Sequence, residues 1–190
     1  TIGSIPTDLY QLNNIKRLNV AYPITITING QTYPIDICNP DFVSNQTIFE
    51  RDPDPINAFN FIYRNDGLGV SSANTGFFLY FKQGNLTNID ANFEFPVPNR
   101  LFPISVQNIN QDDVYVQETD QQGTVINKWV KVPALAGENI IYNSIQFAER
   151  NIFSAISGAN DTVTVRFADG NFGNVPTGLF RFWVRPSANE

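Results

Sequence analysis

An alternation of apolar and polar residues on both sides of Asn29-Gly30 constrains the fold of this chain more than any other sequence feature. On each side of that dipeptide, isoleucine or tyrosine occupies every second position. A period of two predicts strands with one buried face, and Asn-Gly supplies the two positive φ angles that a type I′ turn requires. We therefore expect a hairpin over residues 22–37 that sets Ile26 opposite Tyr33.

Further short apolar runs, each bounded by turn-forming residues, indicate more strands. The predicted strands are residues 59–63, 77–81, 114–116, 124–132, 162–167 and 179–185. Pro34 lacks a backbone donor, so the strand that returns from the hairpin is expected to be an edge or to open outward there. Two segments favour helices: 140–153, and 9–18 behind a cap at Thr7 or Asp8. The fold class is therefore predicted as mainly β, with antiparallel, sandwich-like sheets and one or two short helices.

A segment rich in proline and aromatic residues divides the sequence near its middle. Residues 92–103 contain three prolines, and such a segment is a natural place for a chain to cross between subdomains. We expect two small β-rich subdomains, residues 1–95 and 96–190. The sequence has no methionine, so Thr1 is not a translation start, and we expect the chain to be a fragment of a longer one.

Composition argues against several classes of function. The chain has no histidine and a single cysteine, Cys38, which removes imidazole catalysis and any multi-thiolate zinc site. Its formal net charge is −6, and phosphate backbones repel a chain of that sign. No apolar run is long enough to span a membrane, and no glycine motif for nucleotides occurs in the required context. We expect no cofactor, no metal, no nucleic acid and no membrane insertion.

Paired carboxylates are the remaining route to catalysis, because glycosidases need only two acids flanking the scissile bond. The candidates are Asp52, Asp54, Glu94, Asp112, Asp113 and Glu118. Adjacent strand residues point to opposite faces, so Asp112 and Asp113 cooperate only if they lie in a turn. Acids in loops are usually solvated, and we predict no catalytic residue.

The most specific pattern is a long turn between the last two predicted strands. Residues 167–178 read Phe-Ala-Asp-Gly-Asn-Phe-Gly-Asn-Val-Pro-Thr-Gly, and a strand of alternating aromatic and basic residues follows. This sequence resembles the Phe-Gly-Asp-Gly-x-Phe/Leu-Gly-x-x-Pro-x-Gly turn of baseplate wedge subunits of T4-like contractile-tailed bacteriophages. The resemblance is close to the cyanophage versions and more distant to baseplate J-like proteins. The resemblance covers roughly residues 92–185, with Ala168 where glycine is expected.

The resemblance implies a structural, non-enzymatic protein of the virion. Its partners would be a second copy of the chain, in a dimer within the wedge, and other wedge proteins, forming a ring in the tail baseplate that changes conformation during infection. The candidate interface or loop residues are Phe167, Asp169, Gly170, Phe172, Gly173, Pro176, Gly178 and Trp183. In physical terms the glycines allow a tight fold, Pro176 stiffens the return and Phe172 packs underneath the loop.

A second class of function stays open on the sequence alone. A tail-associated module that binds or cleaves polysaccharide would use exposed tryptophans as a platform for sugar rings and a pair of acids for hydrolysis. Trp129 and Trp183 are the candidate platform, and Asp113 is a candidate acid. Alternation along the last strand places Trp183 on the same face as Arg181, which also makes this tryptophan a candidate interface anchor.

Overall fold

The chain divides into two compact units, Thr1–Asn85 and Leu86–Glu190, and both are built from β-strands. The computed structural model describes residues 20–42, 48–54, 59, 62–64, 76–133, 135 and 150–187. The mainly β fold class predicted from the sequence is confirmed. The units divide ten residues before the boundary suggested by the prolines, because residues 87–93 form a strand in the sheet of the second unit.

Short antiparallel sheets make up the first unit. Its strands are β1 (Ala21–Ile28), β2 (Gln31–Cys38), β3 (Pro40–Phe42), β4 (Ile48–Glu50), β5 (Ile62–Arg64), β6 (Gly76–Phe78) and β7 (Tyr80–Gln83). The first two pair with β7 in the order β1-β2-β7, while β3 pairs with β4 and β5 pairs with β6.

The hairpin predicted around Asn29-Gly30 is confirmed. β1 and β2 are antiparallel with Ile26 opposite Tyr33, and φ is 52° at Asn29 and 83° at Gly30, as a type I′ turn requires. β2 lies between β1 and β7 in the strand order, but at Pro34 it pairs, among the described strands, with β1 alone, which agrees with the edge predicted at that point. Its ladder to β7 stops one residue short of Pro34, so the missing donor of that proline breaks no bond of this ladder.

In the second unit the described residues form one seven-stranded sheet. Its strands are β8 (Thr87–Phe93), β9 (Leu101–Pro103), β10 (Tyr115–Thr119), β11 (Val125–Lys131), β12 (Ile152–Ser157), β13 (Val163–Phe167) and β14 (Gly178–Val184). Across the sheet their order is β8-β14-β10-β11-β12-β13-β9. All neighbours are antiparallel except β11 and β12, which are parallel and make the sheet mixed.

The sheet curls into a half-barrel around a core rich in aromatic rings. Phe93 on one edge strand lies 5.8 Å from Phe102 on the other, measured between ring centroids, and Phe102 stacks on Phe182 at 4.4 Å. Offset and edge-to-face ring pairs stabilise such a core beyond the area they bury. The buried core consists of Phe93, Ile104, Ile109, Val114, Val116, Trp129, Phe153, Ala155, Val163, Val165, Phe167, Phe180, Phe182 and Val184.

The segment 140–153, predicted as a helix, ends in a strand. Ile152 and Phe153 begin β12, are fully buried, and pair in parallel with β11, which is the usual environment of an uninterrupted apolar run in a parallel pair. The rest of that segment, and the helix predicted over 9–18, lie outside the described residues. Within the parts of the chain that the structure describes, no helix has the length and apolar character of a membrane span.

Candidate interaction surface

The motif turn, residues 168–177, links β13 to β14, and Asp169 organises its first half. The Asp169 carboxylate accepts hydrogen bonds from the backbone N–H of Asn171 at 2.9 Å and of Phe172 at 3.3 Å, and from the Asn171 amide at 3.1 Å. These bonds, the backbone bond of Asn171 foremost, hold the pKa of Asp169 below its usual range. Gly170 has a φ of 97°, a left-handed value that glycine adopts without steric cost.

Close packing at Gly173 fixes the second half of the turn. A side-chain carbon added there would lie 2.7 Å from the side chains of both Ala168 and Ile152, and 3.0 Å from the carbonyl oxygen of Arg150. Pro176 is buried nearby in the sequence and restricts the backbone that returns to β14. The turn is therefore seated on β12 through a contact that only glycine permits.

Two neighbouring segments bind the motif turn on either side. The Arg150 guanidinium donates to the carbonyl of Gly170 at 3.1 Å, and the Arg150 carbonyl accepts from the N–H of Asn174 at 2.7 Å. On the other side, the N–H of Asn99 donates to the carbonyl of Ala168 at 3.0 Å. We call these three segments, residues 94–100, 150–151 and 168–177, the loop cluster.

Exposed apolar side chains project from the loop cluster. Phe95 is 70% exposed, Val97 is 44% exposed and Phe172 is 38% exposed. Phe172 does not pack fully underneath the turn as predicted, since 38% of its surface remains exposed. Phe172 is thus partly available to a partner, whereas Phe167 of the same motif belongs to the core.

The other predicted site residues lie in the strands. Phe167 is fully buried at the end of β13, and Gly178 begins β14 with a φ of 92°. Trp183 is 5% exposed and its Nε1 donates to Oε1 of Gln117 at 2.9 Å. Trp129 is equally enclosed, at 6%. Neither indole offers a surface on which a sugar ring can stack, so the exposed platform expected from the sequence is not formed.

Three of the acids considered for catalysis, Asp112, Asp113 and Glu118, are engaged in contacts within the protein. Asp113 and Arg185 form a buried ion pair, with Oδ2 and Nε 3.4 Å apart and both residues 1% exposed. Asp112 is almost fully exposed and pairs with Lys131 at 3.3 Å, while Glu118 accepts a hydrogen bond from an asparagine. Asp112 and Asp113 thus have opposite environments and do not face a common substrate position. The described residues contain no group of three acids or thiols suited to a metal ion.

A polar cleft of about 430 Å³ opens over β8, β14 and the turn after β10. On its lining, Arg181 binds Asp90 through two hydrogen bonds, Nε to Oδ1 at 2.8 Å and Nη2 to Oδ2 at 3.0 Å. The hydrogen bonds lower the pKa of Asp90 and raise that of Arg181. Sequence reasoning missed this pair, because the two residues are 91 positions apart and only the order of the strands brings them together.

Comparison with known proteins identifies one family and no individual relative. No curated protein and no solved structure matches the chain. A family model described as "Domain of unknown function (DUF8360)" matches residues 1–190, which include both compact units. The chain therefore belongs to the DUF8360 family.

Proposed function

We propose that this chain is a structural component of a phage tail baseplate, which assembles with copies of itself and with other wedge proteins into a ring that changes conformation during infection. The observation that carries the proposal is the loop cluster. There the turn whose sequence resembles that of baseplate wedge subunits is held by hydrogen bonds and close packing, yet directs Phe172 to solvent. Function concentrates on loops of this kind, which a rigid scaffold positions.

The exposed rings of the loop cluster are suited to binding because the backbone that carries them is already ordered. Arg100 lies 4.5 Å above the ring of Phe93, measured from its Cζ to the centroid, and donates to the carbonyl of Phe95 at 2.7 Å. Phe172 is held in turn by the bond from its N–H to Asp169. Binding of a partner over Phe95 and Phe172 therefore costs little conformational entropy, because the backbone carrying these rings is already ordered. A low ordering cost favours association.

The binding free energy of such contacts suits a ring of subunits that changes conformation. Fully burying one exposed phenylalanine side chain stabilises a complex by about 1.5–3 kcal/mol, and the gain at Phe95 and Phe172 is the share of this that their exposed 70% and 38% represent. An interface built on Phe95 and Phe172 is therefore strong enough to favour one arrangement of neighbouring subunits and weak enough to be exchanged for another. No covalent step is required of the chain in such a cycle.

The composition of the virus particle tests the proposal directly. Tail particles of the virus whose genome encodes the chain are purified, and their proteins are identified and counted by mass spectrometry. We expect the chain in the baseplate fraction, in a fixed ratio to the wedge proteins. Its presence in infected cells combined with its absence from particles would contradict a structural role.

Variants of the exposed rings test whether the loop cluster mediates assembly into particles. We expect Phe95→Asp to reduce incorporation into particles by about 10-fold or more. Phe172→Asp should reduce incorporation less, because a partner can bury only the exposed 38% of Phe172 but 70% of Phe95. Ile156→Asp is the matched control, because Ile156 is also a half-exposed apolar residue but lies on β12, outside the loop cluster. Equal loss of incorporation for the control would show that apolar exposure in general, and not the loop cluster, drives assembly.

A further inference from the structure

β8 is a long sheet edge that lacks the features by which most proteins protect such edges. It ends the strand order, and among the described residues only β14 pairs with it. The opposite edge, β9, has three residues and ends in Pro103, which limits pairing with another chain. β8 has seven residues without proline, lysine or arginine, and its single charge is Asp90. Edges of this length and composition are templates for a further strand.

The sequence of β8 is nearly symmetric about Asp90, reading Thr-Asn-Ile-Asp-Ala-Asn-Phe. Antiparallel pairing of two copies about a two-fold axis at Asp90 sets Asn88 opposite Asn92 and Ile89 opposite Ala91. Asparagine amides then meet on the outer face. On the inner face Ile89 and Ala91 already pack against the core and are only partly buried, so a second copy extends the apolar surface there. Both faces of the strand are self-complementary.

Charge at the axis is balanced within each copy. Two-fold pairing brings Asp90 close to its counterpart, and like charges on opposed positions destabilise a sheet. Arg181 removes this obstacle, because its guanidinium holds both carboxylate oxygens of Asp90 at 2.8 and 3.0 Å. The two carboxylates and the two guanidinium groups at the axis therefore sum to zero charge.

We propose that two copies of the chain pair through β8 in this antiparallel register, which joins their seven-stranded sheets into one continuous sheet. The inference deepens the proposed assembly function and rests on it, since it names the surface and register of the homodimer. The partner is a second copy because the strand complements its own sequence about Asp90.

Cysteine cross-linking between two differently marked chains tests the register. Opposed residues of an antiparallel pair have Cβ atoms about 4.5–5.5 Å apart, which is near the range a disulfide spans. The proposed register opposes position 88 to position 92, whereas two copies of position 88 lie about 13 Å apart along the strand. We expect a mixture of the Asn88→Cys chain and the Asn92→Cys chain to form disulfide-linked dimers on oxidation. Each chain alone is the matched control and should yield about 10-fold less, since the native Cys38 is buried.

Sedimentation provides the second, independent measurement. We expect the unmodified chain to be a dimer and Ala91→Lys, which places a charge on the edge, to be a monomer with an unchanged circular dichroism spectrum. Ile126→Lys, at an exposed position of β11 inside the sheet, should remain a dimer. A monomeric unmodified chain overturns the inference, and so does a dimer whose 88/92 mixture does not cross-link. If the chain is a monomer but is nevertheless found in tail particles, pairing through β8 is refuted and the proposed function is not.

Discussion

Gly173 shows how one residue of the motif determines the packing of the whole turn. Its backbone lies so close to Ala168, Ile152 and the Arg150 carbonyl that a methyl group has no room. We expect Gly173→Ala to lower the free energy of unfolding by about 1–3 kcal/mol, as overpacking of an ordered site does. Urea unfolding followed by tryptophan fluorescence measures the change, since both tryptophans are buried in the same unit.

The neighbouring Thr177→Ala variant is the control for that measurement. Thr177 is exposed in the same turn, and exposed substitutions usually change stability by less than about 0.5 kcal/mol. Equal effects of the two substitutions would mean that the turn is sensitive to any change and that the packing at Gly173 is not special.

Asp169 should make the stability of the turn depend on pH. Hydrogen bonds from Asn171 and Phe172 hold its folded-state pKa below the usual value, so its ionised form stabilises the folded state at neutral pH. That contribution is lost as the pH falls below about 4 and passes through the folded-state pKa. We expect Asp169→Asn to melt at a lower temperature than the unmodified chain at neutral pH, with a difference that shrinks in acid.

The Asn171→Ala variant separates the donors that act on Asp169. It removes the side-chain amide bond and keeps both backbone bonds. The pKa of Asp169, measured by NMR titration of its carboxyl carbon, should therefore move only part of the way back to the usual value. A full return would show that the backbone bonds contribute nothing.

Among the elements, the hairpin was predictable because the residues that determine its turn and register are adjacent in the sequence. Asn29-Gly30 fixes the turn, and the alternation on each side fixes the register. The position of β14 between β8 and β10 was not predictable, because its partners lie far away in the sequence. The same reason explains the burial of Trp183, whose indole is satisfied by Gln117 on the neighbouring strand. For the motif turn, the close packing is between Gly173 and Ile152, which belongs to yet another strand.

The ion pair of Asp113 and Arg185 joins two elements and should be strongly coupled. It ties the end of β14 to the 3₁₀ turn Gln111–Asp113, and both side chains are enclosed. We expect Asp113→Asn and Arg185→Met each to cost about 3–5 kcal/mol, because each leaves a buried charge without its main partner. The double variant should cost clearly less than the sum, as measured by a double-mutant cycle in urea. Additive costs would show that the pair is not coupled.

For the molecule as a whole, the second unit contains everything its sheet requires. Among the residues that the structure describes, the strands of the sheet and the fourteen buried residues of its core cluster lie between residues 87 and 184. We expect the fragment 86–190 to fold alone, with the dispersed amide spectrum of a packed β protein. The fragment 96–190 is the comparison, because it follows the boundary that the prolines suggest and lacks β8.

Without β8 the shorter fragment loses Phe93, which contacts the rings of Phe102, Phe167, Phe180 and Phe182. Loss of a buried phenylalanine alone costs about 3–5 kcal/mol, a large share of the stability of a domain of this size. We expect the fragment 96–190 to be largely unfolded. Equal stability of the two fragments would place β8 outside the cooperative unit.

The last strand along the described residues lies in the interior of the sheet. β14 ends a few residues before the end of the described chain, and it fills the slot between β8 and β10. While a ribosome is still synthesising it, the nascent sheet has a gap between an early strand and a middle one, with the phenylalanines on both sides uncovered. Completion of the sheet must wait until residues 178–184 have been synthesised. Pairing between strands that lie far apart in sequence is slow, and the aromatic surface exposed in the meantime is prone to aggregation.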